Sequence, residues 1–293
     1  MSTDMTYRSY AKINLYLDVL NRRRDGYHNI ETIFQTVSLC DELHFAEAHN
    51  RISLSCTTQD LDTGEDNLVY RAAMLLREHA GVTQGARIHL DKHIPIAAGM
   101  AGGSGNTAAT LIALNTLWGL RWPAERLRGL ALQLGSDVPY CTMGGTALAT
   151  RRGEDLQAMR PIRKTWFVLV HPEIAVSAAR TYNHPKLTRN DAPCFAGRTA
   201  GFRKAIGLVG QGDWAAAVYN SMEAAVFHDF PNLAAARDRL LEHGCTAAAM
   251  SGSGPTIFGV CASKRDATRI AEKMEALRTS VVHTVPLGVE RVR

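Results

Sequence analysis

The chain has 293 residues, enough for two ordinary domains or one large one, and enough to bury a substantial core. Its composition, 46% hydrophobic and 21% charged, is typical of a globular protein and excludes wholesale disorder. The net charge is +5, and basic residues are spread along the chain apart from a cluster at 22–24. This distribution excludes the concentrated basic face of a nucleic-acid-binding protein, whereas the mild positive charge suits an anionic small substrate.

The first predicted strand covers residues 11–19, where apolar and polar residues alternate. Lys12 and Asn14 both fall on its polar face. We therefore expect these two side chains to project together, away from the core.

A turn at Asp25 and Gly26 precedes a second strand predicted over 30–39. A loop over 59–65 then leads to Asp66 and Asn67. These two residues are typical of a helix start, and a helix is predicted over 68–79.

The most informative segment covers residues 95–109, with the sequence PIAAGMAGGSGNTAA, between a strand ending at Ile94 and a helix predicted to begin near Asn106 or Thr107. Glycines let backbone N–H groups approach an anion, and the free N–H groups of a helix start add partial positive charge. The loop therefore predicts a phosphate site, although it is neither a Walker loop nor the usual dinucleotide fingerprint. From these residues alone, a flexible strand-to-helix turn remains the alternative.

A helix predicted over 124–134 stops at Gly135, and Asp137 follows just before Val-Pro. Taken alone, Asp137 would be a turn or helix-cap residue. A strand is predicted over 146–150, and the polar residues 151–164 predict a crossing between two domains.

The second half contains fewer chemical signals, and its pattern is read mainly from periodicity and glycine positions. Strands are predicted over 166–170, 247–250 and 256–260, helices over about 201–209, 213–218 and 233–242, a long polar connection over 187–201, and a second glycine-rich loop over 251–255.

The cysteines and the chain's apolar segments bear on its compartment. The six cysteines are Cys40, Cys56, Cys141, Cys194, Cys245 and Cys261. They lack CxxC or Cys/His spacing and are predicted to be reduced thiols. No cleavable leader and no apolar run long enough to span a bilayer is recognisable, so we expect a cytoplasmic protein without membrane contact.

Three blocks, YAKINL at 10–15, the 95–109 loop and MSGSGPT at 250–256, together resemble the GHMP kinase superfamily of galactokinase, homoserine, mevalonate and phosphomevalonate kinases. The resemblance covers nearly the whole chain. Three further segments, RDGYH at 24–28, ETIFQ at 31–35 and LGSDVP at 134–139, are similar to the 4-diphosphocytidyl-2-C-methyl-D-erythritol kinase family of the non-mevalonate isoprenoid pathway.

The resemblance implies an α+β fold, the two-domain GHMP kinase fold. Residues 1–160 would form an ATP-binding domain like the second domain of ribosomal protein S5, and residues 161–293 a ferredoxin-like domain. The site would lie in the cleft between them.

The resemblance also implies roles for individual residues, with ATP and Mg²⁺ as cofactors and no prediction of the metal ligands. Asp137 would be the catalytic base, with Lys12 as its partner. The substrate-binding residues would be Asn14, Tyr27, His28 and Tyr182, with Tyr182 stacked on the cytosine. The ATP-binding residues would be Asp66, Asn67, Pro95, Ala97, Ala98, Gly99, Met100, Ala101, Gly102, Gly103, Ser104, Gly105 and Asn106. The loop closing the site would contain Ser251, Gly252, Ser253 and Gly254.

The implied reaction transfers the γ-phosphoryl group of ATP to the 2-hydroxyl of 4-diphosphocytidyl-2-C-methyl-D-erythritol, a small-molecule partner; nothing in the sequence predicts an oligomeric state. The loop departs from the family pattern, with Met100 for leucine, Ala101 for glycine and Gly105 for serine. Two alternatives remain. One is another GHMP small-molecule kinase, against which the predicted cytidine-binding residues argue. The other is a catalytically weakened nucleotide-binding relative, which Gly105 alone favours.

Overall fold

The computed structural model describes residues 4–190, 197–275 and 277–292, so Cys194 lies outside the described residues. The described strands are β1 (Met5–Arg22), β2 (His28–Ala48), β3 (Ile52–Cys56), β4 (Gly85–Asp91), β5 (Thr146–Thr150), β6 (Asp155–Ala158), β7 (Trp166–Val170), β8 (Tyr219–Asn220), β9 (Ala247–Met250), β10 (Ile257–Cys261), β11 (Thr279–His283) and β12 (Val289–Arg291). The described helices are α1 (Leu68–Ala80), α2 (Gly102–Leu117), α3 (Ala124–Leu134), α4 (Val138–Met143), α5 (Ala178–Tyr182), α6 (Ala200–Gln211), α7 (Trp214–Ala217), α8 (Glu223–Asp229), α9 (Pro231–Glu242) and α10 (Lys264–Lys273). None of these helices is long and apolar enough to cross a membrane.

The larger sheet is built around β1 and β2, which pair antiparallel over almost their full length. Its main strand order is β12-β1-β2-β4-β3, with β5 joined to β2 and β6, and with β8 parallel to β1. Helices α1 to α4 pack against this sheet, and their shared core includes Phe34, Leu43, Leu76 and Tyr140. This layer forms the first half of the molecule.

The smaller sheet has the order β11-β7-β10-β9, and all of its neighbouring strands are antiparallel. Strands β9 and β10 form a hairpin at one edge of this sheet. Along the chain, helices lie between β7 and β9 and between β10 and β11, which gives the βαββαβ order of a ferredoxin-like fold. The α+β, two-domain fold predicted from the sequence is therefore confirmed.

A central apolar cluster joins the two halves. It contains Ile13 and Leu15 from β1 together with Phe167, Phe202 and Phe258 from the second half. Strand β1 is consequently covered on both sides along its middle. The division at residues 160 and 161 stays a prediction, because β8 and β12, from the second segment, return to the first sheet.

The expectation that Lys12 and Asn14 point away from the core is wrong. Lys12 and Asn14 share a face as predicted, but they are 5% and 2% exposed. The glycine-rich loop at Gly99, the turn at Asp137 and the closing loop at Gly252 enclose the face that was expected to point away from the core. The predicted crossing over 151–164 also contains strand β6, which pairs with β5 and extends the first sheet. Its polar residues are those of an exposed edge strand.

The start of α2 also differs from the prediction. The helix begins at Gly102 and not near Asn106, so the glycines themselves form its first turn. By contrast, α1 begins after Asn67, whose side-chain oxygen accepts the N–H of Val69, and α3 covers the predicted residues 124–134. The sequence prediction placed the start of α2 too late because glycine has a low helix propensity. Glycine is nevertheless tolerated where the backbone must lie open.

Ala101 provides a stability test of this helix start. It precedes α2 with φ +55°, a left-handed conformation that costs an alanine about 1–2 kcal/mol, whereas glycine loses roughly 0.5–1 kcal/mol through greater unfolded-state freedom. We expect Ala101→Gly to increase the free energy of unfolding by up to about 1 kcal/mol, measured by urea denaturation.

Ala98→Gly is the matched control, because it changes the same loop at a residue without positive φ. It should lower the free energy of unfolding by about 0.5–1 kcal/mol. Equal destabilisation by both substitutions would contradict the left-handed backbone at 101.

Candidate active site

The ammonium group of Lys12 lies where three segments converge. Its Nζ donates to Asn14 Oδ1 at 2.9 Å and to the Gly99 carbonyl at 3.2 Å, and it lies 3.7 Å from Asp137 Oδ2. The Lys12 side chain is only 6% exposed, whereas that of Asp137 is 35% exposed. An enclosed cation thus lies beside a carboxylate that solvent or a ligand can reach.

Local structure of β1 fixes the Lys12 end of this pair. Register irregularities occur on either side of the 12–14 stretch, and such bulges re-aim side chains. The Lys12 N–H donates to the Met100 carbonyl at 3.1 Å, which attaches the strand to the glycine-rich loop. Asn14 is held in turn by a 2.8 Å hydrogen bond from its Nδ2 to Thr32 Oγ1.

Asp137 reaches the same place from the turn between α3 and α4. Gly135 ends α3, and Pro139 lies in the first turn of α4. Asp137 occupies the N-cap position of α4, but its side chain makes no capping hydrogen bond. Its carboxylate is therefore available to the cleft.

A cleft of about 460 Å³ extends from this charged pair to a group of aromatic residues. Lys12, Asn14 and Asp137 line its polar end, and Tyr27, His28 and Tyr182 line its aromatic end. The predicted catalytic and substrate-binding side chains thus line one continuous space. Its size is within the range of small-molecule sites.

The aromatic end is built on a stacked pair. The rings of His28 and Tyr182 lie 5.2 Å apart with an interplanar angle of 13°. Burial, helped by the positive charges of Arg189 and Arg22, lowers the pKa of His28 from its ordinary value and so favours the neutral imidazole. His28 Nε2 is buried without a hydrogen-bond partner among the described residues, which leaves it available for a ligand.

Tyr27 occupies the rim of the cleft with 58% of its surface exposed. Arg152, which also lines the cleft, places its guanidinium 5.1 Å from the Tyr27 ring centre. Sequence reasoning missed Arg152, because a single arginine in a polar stretch carries no distinguishing signal.

A second cavity of about 430 Å³ lies on the other side of the glycine-rich loop. From the predicted ATP-binding set it is lined by Asp66, Asn67, Pro95, Ala97, Ala98, Gly99, Ala101, Gly102, Gly103, Ser104 and Asn106. No side chain caps the start of α2, so the unpaired N–H groups of its first turn are available to an anion. Gly99 and Ala101 line both cavities, which therefore meet at this loop.

Lys92 is a second residue that sequence reasoning missed, since a lysine after a strand is ordinarily solvated. It lines the second cavity, and its Nζ forms a 2.6 Å ion pair with Asp41. The Asp41 carboxylate also accepts the N–H groups of His93 and Ile94, at 2.7 and 2.8 Å. Asp41 therefore fixes the segment that enters the glycine-rich loop.

Two predicted ATP-binding residues lie beneath the loop and do not line the second cavity. Met100 is 1% exposed within the central apolar cluster. A Cβ atom at Gly105 would meet Ser9 Oγ at 3.2 Å and the Tyr10 carbonyl at 3.6 Å. A side chain at 105 would thus face β1, and the hydroxyl missing there would not have pointed into the cavity.

The second glycine-rich loop closes over the junction of the two cavities. Ser251 Oγ donates to the Gly99 carbonyl at 3.0 Å, Gly252 and Ser253 line the first cleft, and Gly254 donates its N–H to the Ser251 carbonyl. A Cβ at Gly252 would lie 3.1 Å from the Gly99 carbonyl and 3.5 Å from Lys12 Nζ, so glycine permits this close approach.

Two family profiles match separate parts of the chain. The profile described as GHMP kinases N terminal domain matches residues 67–145, and GHMP kinases C terminal matches residues 202–278. The first range includes the glycine-rich loop and Asp137, and the second includes the closing loop.

Relatives that match most of the chain identify a smaller family within the GHMP kinases. The 4-diphosphocytidyl-2-C-methyl-D-erythritol kinase of Moorella thermoacetica is 42% identical over 92% of this chain and 95% of its own, and that of Pelotomaculum thermopropionicum is 44% identical over 92% and 93%. A crystal structure of 4-(cytidine 5'-diphospho)-2C-methyl-D-erythritol kinase superposes with a TM-score of 0.81 at 32% identity, covering 97% of this chain and 99% of the other. Homoserine kinase from Cytophaga hutchinsonii, with a TM-score of 0.76 and 20% identity over 99% and 97% of the two chains, shares the fold. The chain therefore belongs to the GHMP kinases and, among them, to the 4-diphosphocytidyl-2-C-methyl-D-erythritol kinase family.

Proposed function

We propose that this chain transfers the γ-phosphoryl group of ATP to the 2-hydroxyl of 4-diphosphocytidyl-2-C-methyl-D-erythritol. The supporting observation is the meeting of two cavities at Gly99 and Ala101, beside the Lys12–Asp137 pair. One cavity suits a nucleotide and the other an alcohol carrying a flat base. At their junction a phosphoryl group and a hydroxyl can face each other.

In the proposed reaction, Asp137 accepts the proton of the 2-hydroxyl as its oxygen bonds to the γ-phosphorus. The bond from that phosphorus to the bridging oxygen breaks, and ADP leaves. Such a transfer depends on positioning and on neutralising negative charge. Lys12 supplies a fixed positive charge 3.7 Å from Asp137, which stabilises negative charge on the attacking oxygen.

GHMP kinases use ATP as the phosphate donor. Its phosphates would lie against the loop at 99–106 and the start of α2, with the adenosine near Asp66 and Asn67. No cluster of three or more His, Cys, Asp or Glu among the described residues could hold a metal. Mg²⁺ usually binds through substrate phosphates and one or two protein oxygens. Ser104 and Asp137, which line the two cavities, would offer such oxygens, and the ion would supply further charge neutralisation.

The aromatic end of the cleft would hold the cytidine. Tyr182 offers a ring face for stacking, and His28 offers an unpartnered ring nitrogen for the edge of the base. Arg152 lies beside Tyr27 at the rim and is positioned to attract the diphosphate. Asn14 would orient the acceptor next to Lys12.

These features bear on the alternatives. Homoserine or mevalonate would leave the aromatic end unfilled, which disfavours another GHMP kinase activity. A weakened relative was suggested only by Gly105, whose Cβ direction leads to Ser9 and away from the nucleotide cavity. Cytoplasmic location and the absence of nucleic-acid partners stay proposals that agree with a small-molecule reaction.

Substitution of the proposed base tests the mechanism. Asp137→Asn removes the proton acceptor while keeping the side-chain size, and general base catalysis contributes about 10²–10⁴-fold. We expect kcat to fall at least about 10²-fold in an assay of ADP release with the cytidine substrate, while the phosphorus NMR spectrum of the wild-type product shows a new phosphomonoester at the 2-position.

Asp155→Asn is the control, because this exposed carboxylate on β6 lies outside both cavities. It should leave kcat unchanged within about twofold, as expected for a surface substitution. Wild-type activity with homoserine or mevalonate but not with the cytidine substrate would remove the proposed specificity, and unchanged turnover in Asp137→Asn would remove the mechanism.

Substitution of Tyr182 tests the proposed stacking on the cytosine. Alanine substitution of a stacking aromatic costs about 1–3 kcal/mol per base, so Tyr182→Ala should raise KM for the cytidine substrate roughly 5- to 150-fold. KM for ATP should change little, since Tyr182 does not line the second cavity. Tyr182→Phe keeps the ring and should restore a KM within about threefold of wild type; equal effects of the two substitutions would contradict stacking.

A further inference from the structure

The closing loop at 251–254 is held by one buried side chain from the short strand β8. Asn220 is 4% exposed, and its Nδ2 donates to the carbonyls of Met250 and Gly252, at 2.7 and 2.8 Å. Its Oδ1 accepts the N–H of Met222 at 2.9 Å. All three hydrogen bonds go to backbone, and two of them fix the entry and the centre of the loop.

Glu223 holds the same loop from the start of α8. Its Oε1 accepts the Met250 N–H at 2.7 Å, and its Oε2 forms a 3.0 Å ion pair with Arg237. Both the N–H and the C=O of Met250 are therefore bound by side chains three positions apart in the chain, Asn220 and Glu223. Neither side chain lines either cavity.

The support for this pair comes from β1, the strand that carries Lys12. Leu17 pairs with Asn220 in the parallel β1–β8 ladder, and the Ser221 N–H donates to the Leu17 carbonyl at 2.9 Å. Ser221 Oγ accepts the Val19 N–H at 2.8 Å. Strand β8 is thus attached to β1, and the Asn220 side chain attaches β8 to the closing loop.

The loop in turn touches the groups proposed to react. Ser251 donates to the Gly99 carbonyl, which also accepts from Lys12, and the backbone of Gly252 passes beside Lys12 and Asn14. A displaced loop would release the Gly99 carbonyl and open the space next to the ammonium group. The residues that hold cytidine lie at the other end of the cleft.

We propose that Asn220 and Glu223 are positioning residues for phosphoryl transfer, which hold the closing loop against Gly99 and Lys12 and so set the alignment of the two cavities. This inference rests on the proposed function, because it assigns to the loop a role in that reaction. A misplacement of about 1 Å in such an alignment can cost roughly 10²-fold in rate.

The test compares two substitutions at 220. Asn220→Ala removes all three hydrogen bonds, whereas Asn220→Asp keeps the acceptor for Met222 and loses both donors to the loop. In steady-state assays of ADP release, both should lower kcat by about 10- to 100-fold. In Asn220→Asp, KM for ATP and for the cytidine substrate should stay within about threefold of wild type, because the loop bonds act on alignment and not on either binding end.

Asn115→Ala is the matched structural control. Asn115 also binds backbone with both ends of its amide, at the N–H and C=O of Trp122, but it lies at the far end of α2. Its loss should lower Tm comparably and leave kcat within about twofold of wild type. Glu223→Gln, which keeps an acceptor for Met250, should lower kcat less than Glu223→Ala.

Kinetics are measured at a temperature at which thermal melts show every variant folded, and Asn220→Ser replaces any substitution at 220 that does not fold. A fall in Tm equal to that of Asn115→Ala with unchanged kcat would overturn the inference, as would a rise in KM alone. Failure of the wild-type chain to phosphorylate the cytidine substrate is a separate result and contradicts the proposed function. In that case, the same kcat comparison is made with the GHMP acceptor that the wild-type chain does phosphorylate.

Discussion

The constraint on which the site depends is the enclosed charge of Lys12. An ammonium group removed from water costs several kcal/mol unless hydrogen bonds and an opposite charge compensate it. Here the compensation comes from Asn14, the Gly99 carbonyl and Asp137, which belong to β1, the glycine-rich loop and the start of α4. The three segments must therefore meet correctly for the fold to tolerate the charge, and the same meeting assembles the proposed catalytic pair.

Backbone groups provide most of the remaining site. The first turn of α2 presents unpaired N–H groups to the second cavity, and the Gly99 carbonyl binds both Lys12 and the closing loop. Phosphoryl transfer needs fixed dipoles and alignment more than reactive side chains, so glycine-rich backbone suits this chemistry. The two cavities meet at this loop, where the proposed donor and acceptor would face each other.

The sequence predicted those features that depend on local patterns. Alternation in β1, the Asn67 cap of α1 and the extent of α3 could all be read because neighbouring residues determine them. Burial of Lys12 could not, because the groups that enclose it, at Gly99, Asp137 and Gly252, are distant from it in the sequence. The start of α2 was missed because helix propensity disfavours glycine, whereas an uncapped first turn facing a cavity favours it. The proposed chemistry itself was indicated by family resemblance at particular positions and by no periodicity.

Both glycine-rich loops face the same physical problem, since flexible backbone must be held still without bulky side chains of its own. The first is fixed at its entry by Asp41, which binds Lys92 and two backbone N–H groups, and the second by Asn220 and Glu223, which bind the backbone of Met250 and Gly252. These anchors lie in β2, β8 and α8, and a lone asparagine or carboxylate there resembles an ordinary cap in the sequence. Glycine gives the backbone close access to ligand, and buried polar side chains outside the loops restore the order that glycine removes. The precision of such a site therefore depends on residues that never touch the reacting groups.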